Sequence, residues 1–163
     1  PTIDASVELV NADVPATPVQ RFHVARKVTE VTPGVLWHYE YAIHNMNSDR
    51  AADQLTINFG GATTFSGVGF HDVDAHSNEP YDTTDWPGVT GSDSIQWTAP
   101  AFPASPANAN AIRWATMYNF WFDANRPPTD ISGHVLRLFT SGEPTEIAFT
   151  IGTVPTLFSN GFE

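Results

Sequence analysis

The chain has no cysteine, a single lysine (Lys27) and no Lys or Arg anywhere between Ala51 and Ile112. Without cysteine there are no disulfides, no thiolate metal centres and no Cys nucleophile. Any metal ion is then expected on His, Asp, Glu, Asn or backbone oxygens. Basic residues are scarce and the net charge is −11, so no Lys/Arg cluster exists to neutralise a nucleic-acid backbone or to dock on an anionic membrane surface. No apolar run approaches the ~20 residues of a membrane-spanning helix, which argues against membrane insertion. Pro1 does not begin a signal-peptide pattern, and the sequence reads as a mature or excised form. Charged residues amount to 15%, below the usual ~25%. Thr, Ser, Asn and Asp must supply the polar surface instead, a composition expected of an extracellular or cell-surface protein.

A long stretch with a 3.6-residue apolar period is missing as well. What recurs is alternation, broken by thirteen prolines and eleven glycines. Val35, Trp37, Tyr39, Tyr41 and Ile43 share one parity, which predicts a strand over 35–44 with an aromatic face inward and His38, Glu40 and His44 on the other face. Residues 111–123 repeat the pattern, with Ile112, Trp114, Thr116, Tyr118, Phe120 and Phe122 on one side and Met117 and Trp121 on the other. That predicts a central strand. Further strands are expected at 20–31, 54–59, 65–71, 94–98, 134–140 and 146–153, with an edge strand near Val7–Val10. Such spacing predicts an all-β fold, a two-sheet antiparallel sandwich of Ig-like or jelly-roll topology. One domain over 1–155 is expected, followed by a tail over 156–163. At this length a single core forms without covalent staples.

Residues 70–86 read FHDVDAHSNEPYDTTDW, with five carboxylates and two histidines. Their mutual repulsion must be offset by solvent, a distant Arg, a metal ion or a cationic ligand. His71, Asp72, Asp74 and His76 are candidate metal ligands, and in an extended chain Asp72, Asp74 and His76 project to one side. Carboxylates and carbonyls would favour Ca, whereas imidazoles bring in Zn or Cu. The EF-hand pattern fails: its sixth position is Ser77 rather than Gly, and its twelfth is Thr83 rather than Glu. A polar loop closed by Asx turns would have the same composition.

His38, Glu40 and His44 form a second candidate set, able to join 71–76 if those strands pair. His38 and Glu40 lie ~7 Å apart by strand rise. Asn45 to Arg50 reads as a hydrogen-bonded turn, from which Arg50 could bridge to Asp49, Asp53 or the acidic loop. Tyr81 and Trp86 are the aromatic residues expected as exposed platforms for a ligand. Core packing is expected of the remaining tryptophans.

The segments WHYEYAIHNMNSDR (37–50), GFHDVDAHS (69–77) and AIRWATMYNFWFDANRPP (111–128) resemble a poorly characterised group of secreted bacterial β-sandwich domains. The ending LFSNGFE (157–163) is similar to Gly-Phe-Glu tails on exported gammaproteobacterial proteins. The resemblance implies fold and export, and it transfers no catalytic residue.

No Gly-x-Ser-x-Gly elbow or glycosidase pair is recognisable. The leading expectation is a non-catalytic extracellular or cell-surface structural or interaction module, with an acidic loop suited to a divalent cation. Its partners would be other subunits, or its own copies joined through edge strands or terminal segments. The alternatives are a carbohydrate-binding module holding a polysaccharide at Tyr81 and Trp86, and a metal-dependent hydrolase or other metalloenzyme using His71, Asp74 and His76.

Overall fold

The computed structural model describes residues 6–73 and 79–152. Among these lie ten strands: β1 (Val7–Val14), β2 (Gln20–Thr32), β3 (Leu36–Asn45), β4 (Ala52–Phe59), β5 (Phe65–His71), β6 (Gly88–Thr90), β7 (Ser94–Thr98), β8 (Met117–Ala124), β9 (Ile131–Leu138) and β10 (Glu146–Phe149). They form two five-stranded sheets, in the orders β1-β2-β3-β8-β5 and β10-β9-β4-β7-β6. Every pairing is antiparallel. The fold is the two-sheet antiparallel sandwich that the alternation predicts.

The period-2 pattern explains the layers. Tyr39, Tyr41 and Ile43 of β3 and Tyr118, Phe120 and Phe122 of β8 are buried, and they meet Leu55 and Ile57 of β4, Trp97 of β7 and Leu136 of β9. The aromatic rings interlock rather than lie loosely. Tyr39 stacks on Phe122 with centroids 4.7 Å apart, and Trp97 meets Phe120 edge-on at 5.4 Å. Such contacts add to the area removed from water. On the outer face, the Trp121 indole lies over Gly69, where a Cβ would come within 2.1 Å of the ring. Only glycine fits at that close approach.

Several boundaries differ from expectation. The strand predicted over 111–123 begins only at Met117, because residues 113–116 close a turn in which the Thr116 N–H donates to the Arg113 carbonyl at 3.0 Å. Ala115 sits there at φ 62°, a left-handed conformation that is strained for alanine. Strand β6 was not foreseen, since three exposed residues carry no periodic signal. Among the described residues Arg50 bridges to no acid. Its guanidinium donates instead to the carbonyls of Thr140, Gly142, Glu143 and Pro144, tying the 45–50 turn to the β9–β10 connection. The turn itself is structural, as expected. Asn45 Nδ2 donates to Ser48 O at 2.8 Å, and the Ser48 N–H returns a bond to Asn45 Oδ1 at 2.7 Å.

Candidate functional site

The described parts of the acidic stretch, residues 70–73 and 79–86, lie against the sandwich. The two ends of the stretch meet in the core, where Phe70 stacks on Trp86 with centroids 5.6 Å apart and planes 10° apart. Trp86 is only 2% exposed, and its Nε1 donates to Asn110 O at 2.8 Å. The expectation of an exposed Trp86 platform is therefore corrected. A large apolar ring next to β5 packs against Tyr118 and Phe120 instead of facing water.

Asn110 is the hub of this region. Its buried side-chain amide donates to the Asp72 carboxylate and to Thr84 O at 3.0 Å, while its Oδ1 accepts from the Tyr118 hydroxyl at 2.5 Å. Burial, and then the nearby Asp72 charge, push the Tyr118 phenol well above its ordinary range, so it stays a donor. Asp72 thus serves as a loop anchor.

A sequence-distant arginine packs against the acidic stretch. The Arg113 guanidinium lies 3.8 Å above the Tyr81 ring centroid and donates to the carbonyls of Ala107 and Ala109 at 2.8 and 3.0 Å. Around it opens a cavity of about 390 Å³. Glu79, Tyr81, Asp82 and Thr83 line one side, and Asn110, Arg113, Trp114 and Thr116 the other. The 113–116 turn holds Trp114 at the rim, 70% exposed, with its Nε1 donating to Met46 O at 2.9 Å. Sequence parity placed Trp114 in the core. The turn breaks the strand's alternation and turns the indole outward.

Of the residues predicted as metal ligands, Asp74 and His76 lie outside the described residues. His38, Glu40 and His44 do share the outer face of the first sheet, but each has its own neighbour. His38 Nδ1 is 2.6 Å from Asp123 Oδ1, Glu40 is in register with Lys27 and Trp121, and His44 is beside His23 and Met117. His71 stands at the end of β5 in register with Asn119, and β8 separates it from β3. Among the described residues no three His, Asp or Glu side chains gather about one point. Tyr81 is half-buried beneath Arg113 and borders the cavity.

Sequence reasoning missed Trp114, Asn110 and Arg113 as members of this region. The run of Ala, Pro and Asn before Arg113 hinted at a loop, and a loop start at 113–116 would have freed Trp114 from the parity argument. In comparison with known proteins, the chain matches no family model and no curated protein.

Proposed function

We propose that this chain is a non-catalytic extracellular binding module whose ligand is a neutral carbohydrate, held in the cavity between the acidic stretch and the 113–116 turn. The observation that carries the reading is Trp114, an indole 70% exposed at the rim of a cavity that Tyr81 also borders. Exposed aromatic surface carries information when it borders a concavity rather than standing alone, as it does here. The apolar face of a sugar ring stacks on such an indole. Its hydroxyls need both donors and acceptors, which the Thr83 hydroxyl and the carboxylates of Glu79 and Asp82 supply around the same space. Strain at Ala115 supports the same reading, because a conformation unfavourable to alanine is retained where it displays Trp114. The low-lysine, Thr- and Asn-rich surface is the basis for placing the module outside the cell.

The test is affinity electrophoresis of the chain through gels containing a panel of neutral polysaccharides. Retardation by at least one is expected, and Trp114→Ala should weaken it about tenfold, the equivalent of ~1.4 kcal/mol of stacking. Equal retardation of wild type and Trp114→Ala would refute the site, and no retardation by any polysaccharide would refute the ligand class. Release of reducing sugar during incubation would refute the non-catalytic reading.

A further inference from the structure

The outer face of the first sheet carries a row that crosses four strands in register: Asn11 on β1, His23 on β2, His44 on β3 and Met117 on β8. Directly opposed residues of antiparallel strands have Cβ atoms about 4.5–5.5 Å apart, so these side chains are immediate neighbours. The His23 and His44 rings lie with centroids 6.1 Å apart and planes 14° apart. Met46 follows β3 and is anchored by its own N–H, which donates to Arg21 O at 3.1 Å. Its sulfur stands 3.1 Å from His23 Nε2. The other ring nitrogen, Nδ1, is 3.0 Å from Asn11 Oδ1.

The chain contains only two methionines, and both lie beside this histidine pair. They are 47% and 48% exposed, where an apolar side chain gains little from burial. When Nδ1–H donates to Asn11 Oδ1, Nε2 presents a lone pair toward the thioether sulfur. Two lone-pair donors facing each other are what a soft cation bridges. No third His, Asp or Glu joins the pair among the described residues, so the available donors are two imidazoles and two thioethers. That set disfavours Ca and Mg, which take oxygen ligands, and gives Zn neither thiolate nor carboxylate. Thioether with imidazole suits copper, and neutral soft donors suit its reduced state. A net charge of −11 draws cations toward the surface.

We infer that His23, His44, Met46 and Met117 form a Cu(I) site on the outer face of the first sheet, with Asn11 fixing the His23 tautomer as a positioning residue. The site's side chains do not line the carbohydrate cavity, although the Met46 carbonyl accepts from Trp114 Nε1 at its rim. The copper site does not rest on the carbohydrate reading.

The test is an anaerobic titration of the full 163-residue chain with Cu(I) against a chromophoric chelator. A parallel titration uses Ag(I) as a redox-silent probe, followed through the methionine methyl resonances. A single equivalent should bind, shifting both methyl signals until saturation. Met46→Leu and Met117→Leu each keep side-chain bulk and should each weaken binding. Asn11→Ala should weaken it about tenfold, as loss of an outer hydrogen bond to a ligating imidazole does. His38→Gln should leave it unchanged. Methyl signals that do not move, or affinity equal to wild type in the Met46→Leu/Met117→Leu double variant, would overturn the site. In that case the His23 and Met46 contact is a weak N–H to sulfur bond with a structural role only. Zn(II) displacing stoichiometric Cu(I) would overturn the choice of metal. Polysaccharide retention by Met117→Leu should match wild type, which keeps failure here distinct from failure of the carbohydrate reading.

Discussion

Replacing Glu8 with Gln should destabilise the sandwich by about 2–4 kcal/mol, far more than an edge-strand substitution ordinarily does. The reason is Arg26, which the alternation of β2 forces inward together with Phe22 and Val24. Its side chain is 1% exposed, and its guanidinium lies 2.5 Å from Glu8 Oε2, with Nε donating to the same oxygen at 2.7 Å. The two residues are Cα partners across β1 and β2. Removing one member of a buried pair costs about 3–5 kcal/mol, because the remaining charge stays desolvated. Glu8 keeps 14% of its side chain exposed, so water already reaches the pair, and the expected cost falls around the lower end of that range or somewhat below it. The two directions are unequal. Arg26→Met leaves the residual charge on Glu8 at the sheet edge, where solvent accepts it, and should be milder than Glu8→Gln. The double variant Glu8→Leu/Arg26→Met removes both charges and should recover most of the loss. Urea denaturation at pH 7, followed by circular dichroism at constant m-value, measures all four corners of this cycle. The reasoning is refuted if Glu8→Gln lies within about 0.5 kcal/mol of wild type, or if the double variant loses the sum of the single effects.

Two further predictions concern buried polar groups. Burial, and then the Arg26 charge, push the His134 imidazole down to about 4. The unfolded chain therefore binds a proton near pH 6.5 that the folded chain refuses, so this contribution to stability is complete above pH 6.5 and falls away toward pH 4. The total loss is about 3 kcal/mol, most cleanly read between pH 6.5 and 5, before carboxylates titrate. Urea midpoints for wild type should drop across that window, and those of His134→Gln should drop less; parallel curves would show that His134 is not responsible. Asn110→Ala should lower stability by about 2–4 kcal/mol, since it strips an amide from Asp72 and an acceptor from Tyr118. Thermal denaturation reports the loss, and faster amide exchange over 79–86 should accompany it. A shift of under a degree would mean that the loop is held by other contacts.

The candidate site was only partly legible. Its acidic side was visible as composition, because five carboxylates without a nearby basic residue cannot be missed in a linear reading. Its other side was not. Arg113 reaches Tyr81 through a fold-back of more than thirty positions, and Asn110 meets Asp72 across a similar span. Thioethers are equally hidden in a linear reading. Cysteine was absent, and sulfur was thereby dismissed, although Met46 and Met117 stand beside His23 and His44. Only strand register makes neighbours of His23 and Asn11, or of His44 and Met117.

By itself, the sequence determined the class of architecture and most strands. β5 and β7 run as expected over 65–71 and 94–98, and β3 buries its Tyr39, Tyr41 and Ile43 face. The physical reason is local: side chains on a strand alternate, and an apolar parity must turn from water. Tertiary structure decided everything that depends on which strands pair. It sent Trp86 into the core and Trp114 out, because a left-handed Ala115 ends the alternation before β8 begins. It also set Arg26 against Glu8 inside the sandwich, aligned His23, His44 and Met117 outside it and brought Met46 to His23. Those placements come from sheet order and register, and no local pattern in the chain encodes either one.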